Sequence, residues 1–239
     1  MLGGTPGVPD SLKGVLFGPP KTAKTTIAAS GGRTLLINYD PEGYATQTLK
    51  GRKDIDIVQP QDMRETDLLV AALLRGEGDE YKWIVLDSVT FMFQRFGGKD
   101  ILQTYQAGKD IRRAYGQAGA ATSQVINDLA MLRGRNVLFT AHLVRESTDD
   151  DAGVDVDQDL GEHEVKLAVT PMVWKILGPA VGFIGRTFKK DEWVDGNKET
   201  KYYVSFNDGG RSPAGSRYDM AGMYEASDTL LSDLTTSLL

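Results

Sequence analysis

One stretch limits the fold more than any other: Gly14-Val15-Leu16-Phe17-Gly18-Pro19-Pro20-Lys21-Thr22-Ala23-Lys24-Thr25-Thr26. Val15-Leu16-Phe17 reads as a short buried strand. A Gly/Pro loop follows, and then the helix-prone Ile27-Ala28-Ala29. The layout is that of a phosphate-binding loop, G-x-x-x-x-G-K-[ST], with Ala23 in place of the second glycine. The same residues would also make an ordinary Gly/Pro turn, but a strand before and a helix after favour the loop. In such a loop, backbone N–H groups point at phosphate oxygens. Residues Gly18, Pro19, Pro20, Lys21, Thr22, Ala23, Lys24, Thr25 and Thr26 would form the cradle. Lys24 supplies a mobile positive charge for the β- and γ-phosphates, and Thr25 offers a hydroxyl to Mg²⁺. Ala23 fits easily if its φ is negative, whereas a positive φ would suit glycine better.

Composition narrows the rest. At 239 residues, 41% hydrophobic and 25% charged, the chain suits one globular domain with a sizeable core. With no cysteine, it can form neither a disulfide nor a thiolate metal site. No apolar run approaches the ~18 residues of a membrane span. The first residues lack the basic and apolar regions of a secretory signal, so a cytoplasmic protein is expected. Net charge is −6, but nine acids fall within residues 146–164, which contain no Lys or Arg. The remaining 24 acids face 27 bases, a nearly balanced body.

In chain order, residues 1–12 read as a polar lead-in. Strands are expected near 14–17, 34–39, 55–58, 83–88 and 136–142, and helices over 24–30, 63–75 and 109–133. Leu68, Leu69, Ala72 and Leu73 are expected on one face of the second helix. Residues 181–186 and 202–206 suggest paired strands across a Gly196-Asn197 turn. Residues 145–164 form an acidic loop, expected to be mobile, and 226–239 a weakly amphipathic tail. Strands alternating with helices argue for an α/β fold, a mainly parallel sheet flanked by helices with an antiparallel C-terminal edge. The whole of 1–239 reads as a single domain.

Parallel sheets bind ligands at the carboxyl ends of their strands, where this chain places polar groups. Asp87 follows four apolar residues and is suited to hold a Mg²⁺-bound water. Ser88 would share that shell or cap the next helix. Asp40 and Glu42 flank Pro41 after the second strand; either could deprotonate an attacking water, and Glu42 has the longer reach. His142 ends the fifth strand and could touch the γ-phosphate or the water. Asp155-Val156-Asp157-Gln158-Asp159 has the spacing of a Ca²⁺ loop but lacks its glycine and its final glutamate, so a solvated loop fits better.

These motifs together resemble the core of RecA-type P-loop ATPases over residues 12–220. The carriers are the phosphate loop, Ile37-Asn38-Tyr39-Asp40-Pro41-Glu42, Ile84-Val85-Leu86-Asp87-Ser88-Val89 and Phe139-Thr140-Ala141-His142. The nearest look-alikes are the small phage-encoded Sak-type proteins of single-strand annealing and recombination. The resemblance implies ATP with Mg²⁺, hydrolysis stimulated by DNA, and a ring or filament with ATP between subunits. Its implied partner is single-stranded DNA. Carried over by position, Lys24 and Thr25 serve the phosphates and metal, Asp87 is the second metal-site acid, Glu42 the base and His142 the γ-phosphate sensor. DNA-facing loops would lie near 97–109, with Lys99, Lys109, Arg112 and Arg113, and near 145–164, whose acidity opposes a phosphodiester backbone. Arg217, with Arg211 as the alternative, would act across a subunit boundary. Two other readings share the motifs: a nucleotide-switched scaffold with weak hydrolysis, and a replicative-type helicase motor.

Overall fold

Val15 and Phe17 turn to one side of β1 (Lys13–Gly18), Leu12 and Leu16 to the other, and all four are buried. A strand apolar on both faces needs cover on both, as the unbroken apolar runs Val15-Leu16-Phe17, Leu35-Leu36-Ile37 and Trp83-Ile84-Val85-Leu86 do. The computed structural model describes residues 10–40, 47–145, 165–207, 209, 212–220 and 222–239.

The parallel part of the sheet adds β2 (Thr34–Asn38), β3 (Ile55–Val58), β4 (Trp83–Asp87) and β5 (Asn136–Arg145). A hairpin follows from β7 (Phe183–Val194) to β8 (Asn197–Ser205), and β10 (Met223–Glu225) closes the edge. Strand order is β10-β8-β7-β1-β5-β4-β2-β3, with β6 (Val165–Leu167) on β5 and β9 (Gly215–Ser216) on β7. Strands β3 to β7 along that order are parallel; β8 and β10 are antiparallel. The expected α/β architecture with an antiparallel edge is therefore present.

One face is covered by α2 (Met63–Leu74), α3 (Val89–Gln106), α4 (Arg112–Ala130) and α5 (Pro171–Ala180). The other lies under α1 (Lys24–Ala28) and α6 (Leu230–Leu238). Helix α6 buries Leu230, Leu231 and Leu234, and Leu231 N donates to Ser30 Oγ at 2.9 Å, which fastens the C-terminus to the segment after the phosphate loop. Each buried leucine contributes about 1.5–3 kcal/mol. Lys13 Nζ donates to Leu132 O at 2.6 Å and to Arg135 O, tying β1 to the turn after α4. Burial lowers that lysine to about 8.

Several elements differ from expectation. Helix α2 buries Leu73 of the predicted stripe, with Leu69 and Ala72 half-buried, but adds Thr66 and Val70 in place of Leu68, which is 62% exposed. Its start is fixed by Asp62, whose side chain accepts from Glu65 N at 2.9 Å. Residues 97–106 are helical, since α3 runs to Gln106; the loop expected at 97–109 shrinks to the short link before α4. The hairpin turns at Asp195-Gly196, φ +49° and +82°, one residue earlier than predicted. Two consecutive positive φ values match the twist of a tight two-residue hairpin. The acidic segment 146–164 lies outside the described residues. Among those described, no helix is long and apolar enough to cross a membrane.

Candidate functional site

The loop leaves β1 at Gly18, where the chain passes hard against β7. A Cβ on Gly18 would sit 2.3 Å from Thr187 Oγ1, so this glycine is required by packing alone. Thr22 Oγ1 donates to Pro19 O at 2.8 Å and lies 2.7 Å from Thr187 Oγ1. The loop is thus closed on itself and pinned to the neighbouring strand, while Pro20 and Lys21 stay exposed at its tip. Lys21 and Ala23 both take left-handed conformations, φ +60° and +62°. Ala23 therefore adopts the backbone that favours glycine, at a cost of about 1–2 kcal/mol.

Lys24, the first residue of α1, is 8% exposed. Its Nζ donates to Gly18 O at 2.9 Å and Pro19 O at 2.6 Å, so the ammonium is folded back over the loop. Burial pulls its pKa down to about 8, against the opposing pull of Asp87. A cation poised in this way gains fully from any anion brought into the loop.

Asp87 ends β4 and is 8% exposed. Its Oδ2 accepts from Thr25 Oγ1 at 2.8 Å, and its Oδ1 accepts from Thr140 Oγ1 on β5. The first hydrogen bond brings together the two side chains predicted to bind metal. A hydroxyl and a single carboxylate suit Mg²⁺, which keeps several waters and takes its remaining ligands from substrate phosphates. Ser88 caps α3 instead, its Oγ accepting from Phe91 N at 3.3 Å.

His142 lies within β5, level with Gly18 in the register, and the strand runs three residues past its expected end, to Arg145. Its ring meets Phe91 edge-on, centroids 4.9 Å apart, and its backbone N donates to Thr90 Oγ1 at 3.1 Å. Burial first, and then the nearby Lys24 charge, lowers its pKa below the ordinary imidazole range, while Asp87 and Asp40 oppose the shift. The ring is neutral at pH 7, and so able both to accept and to donate a hydrogen bond. His142 thus feels the charges of Lys24, Asp87 and Asp40, and Lys24 that of Asp87. Asn38 Oδ1 accepts from Asp40 N at 2.9 Å. Glu42, with Pro41, lies outside the described residues.

Arg217 is elsewhere. It follows β9, is exposed, and its N donates to Gly182 O at 2.7 Å. Gly182 N in turn donates to Lys13 O, which sets Arg217 near the start of β1, the far end from Gly18. Five strand rises separate the two ends, about 17 Å. No ion pair holds Arg217 among the described residues, so the pairing with Asp219 that its sequence allows does not form. Arg211 lies outside the described residues. Of the residues predicted to face DNA, Lys109 and Arg113 are exposed, whereas Arg112 forks onto Asp110 at 2.7–3.0 Å. Lys99's side chain is not among those described.

Three contributors escaped the sequence reading. Thr140 could have been found as a polar residue inside an apolar strand, one step from His142. Asn38, polar and fully buried at the end of β2, carried the same signal. Thr187 gave none, because its role depends on a contact 165 positions away in the chain.

A family model described as an AAA domain matches residues 10–218. No curated protein matches the chain. Among solved structures, the crystal structure of the RadB recombinase aligns with a TM-score of 0.50 at 14% identity, over 93% of this chain and 90% of that one. At that identity the likeness is one of fold.

Proposed function

The chain belongs to the AAA-domain family, and from that premise we propose that it is a single-domain RecA-like ATPase, of the phage Sak type, that acts on single-stranded DNA in recombination. The observation that carries the ATPase reading is the Thr25–Asp87 hydrogen bond, which gathers the loop hydroxyl and the strand-end carboxylate at one spot. The fold neighbour, titled a recombinase, supports the biological setting.

In this reading the loop residues 18–26 cradle the phosphates. Lys24 swings from the Gly18 and Pro19 carbonyls onto them and neutralises charge on the transferring group. Thr25 and Asp87 hold Mg²⁺, which supplies charge neutralisation between the phosphates. Glu42 accepts the proton of the attacking water, with Asp40 as the other candidate, and His142 donates to the γ-phosphoryl oxygens. Arg217 sits too far along β1 to reach its own loop, which favours action on a neighbouring subunit's nucleotide in a ring or filament. Exposed Lys109 and Arg113 are the described cations available to DNA.

A second reading, a nucleotide-switched scaffold with weak hydrolysis, draws support from Ala23, whose left-handed backbone strains the loop. One experiment separates the two: turnover with Mg²⁺ and ATP, with and without single-stranded DNA, while assembly size is followed. The ATPase reading expects turnover that rises several-fold with DNA in an assembled species. Nucleotide-dependent assembly without turnover favours the scaffold.

A further inference from the structure

Asn38 is wholly buried at the carboxyl end of β2, directly across from Asp87 in the parallel register. It shares the layer of Leu36, on the face that carries α1. Its amide orientation is fixed: Oδ1 accepts from Asp40 N at 2.9 Å, so Nδ2 must be the opposite end. That Nδ2 is buried and has no hydrogen-bond partner among the described residues. A buried donor without an acceptor is rare and costly, and calls for an explanation.

We propose that Asn38 is a further catalytic residue, whose Nδ2 donates to the water that attacks the γ-phosphate. The strand order β2-β4-β5-β1 puts Asn38 on the flank of Asp87 away from the loop. Phosphates gripped by the loop lie on the other flank, and Asp87 itself is turned toward Thr25 and Thr140. An NH₂ group donates and takes no proton, so its partner is an acceptor oxygen, one that is neither engaged by Thr25 and Thr140 nor held by the loop. The attacking water meets both conditions. Through Oδ1 the same side chain holds the backbone of Asp40, the other candidate base, so one amide serves both the water and that residue.

This inference rests on the ATPase reading, and the test keeps the two apart. Binding of Mg²⁺·ADP alone and of Mg²⁺·ADP with aluminium fluoride is measured for the wild type and for Asn38→Leu. The fluoride complex mimics the transferring phosphoryl with its in-line water. Asn38→Leu should bind Mg²⁺·ADP like the wild type and lose about tenfold or more of the extra affinity for the fluoride complex, as expected for one lost hydrogen bond to a reacting group. The melting temperature of the free protein should fall by only a few degrees, because the one bond lost is that from Asp40 N to Oδ1 and Nδ2 loses none. Asn38→Asp keeps the acceptor for Asp40 N and replaces Asn38→Leu if that variant does not fold. Its turnover relative to wild type should rise as pH falls, since only the protonated carboxyl can donate. Equal fluoride-complex affinity in variant and wild type overturns the role of Asn38 alone. A wild type that binds neither complex overturns the ATPase reading and this inference with it.

Discussion

Thr25 on the loop and Asp87 on β4 are joined by one hydrogen bond, Oγ1 to Oδ2 at 2.8 Å, across 62 positions of sequence. Thr140 engages the other carboxylate oxygen, so Asp87 is held from two sides. Asp87→Asn keeps a shape able to bond both hydroxyls and removes the charge. We expect the fold to persist, turnover to fall about 100-fold or more, and nucleotide affinity to lose its dependence on Mg²⁺. Titration with Mg²⁺ and with chelator checks this; a dependence as steep as that of the wild type would remove Asp87 from the metal site.

Ala23 at φ +62° sets up a test of stored strain. Ala23→Gly relieves about 1–2 kcal/mol of left-handed cost and gives back about 0.5–1 through the more flexible unfolded chain. The net expectation is a melting temperature higher by about 1–3 °C. A lower melting temperature would mean that the Ala23 methyl contributes packing worth more than the strain.

Lys24 predicts a pH effect with a definite sign. Its folded pKa, about 8, lies below the ordinary 10.5 because burial disfavours the charge. Phosphate in the loop favours the charged form, so above pH 8 binding takes up a proton and affinity falls as pH rises. Calorimetry of ATP binding in two buffers of different ionisation enthalpy should show uptake near pH 8.5, absent in Lys24→Met. Folding runs the other way: between about 8 and 10.5 the unfolded chain holds the extra proton, so the share of stability set by Lys24, and by Lys13 with the same lowered value, grows with pH. Proton release on ATP binding would contradict the burial of the free ammonium.

The apolar runs of β1, β2 and β4 were legible because strands buried on both faces read as short continuous apolar runs, and the loop was legible because its chemistry constrains adjacent residues. Helix α3 was not. Gly97-Gly98 each cost a helix about 1 kcal/mol, which reads as a break. The Ser88 cap and the buried Val89 and Met92 outweigh that cost. Leu68 misled the α2 assignment because Thr66, bonded to Tyr39 Oη at 2.8 Å, takes a core position that a hydrophobic pattern assigns to leucine. Strand-end polar residues were legible only as single candidates; that Asp87, Thr25 and Thr140 bond one another follows from a register no single segment contains.

Arg217, about 17 Å along β1 from its own loop, predicts complementation between subunits. Arg217→Ala should bind ATP and fail to hydrolyse it, while a mixture with Lys24→Ala should recover part of the turnover, since some interfaces then pair an intact loop with an intact arginine. A transferred arginine can be worth about 10³-fold in rate. Mixed assemblies that form and stay inactive would exclude Arg217 and leave Arg211 to be tested.

The central claim is that the loop around Lys24 turns over ATP. Lys24→Ala should retain the fold, because the desolvation held against its charge offsets the two carbonyl bonds it loses. The direct measurement is steady-state ATP turnover of the wild type and Lys24→Ala, each shown to be folded by its melting transition. The account predicts measurable wild-type turnover and a loss of about 10³-fold or more in the variant; a folded Lys24→Ala that hydrolyses ATP at the wild-type rate would contradict it.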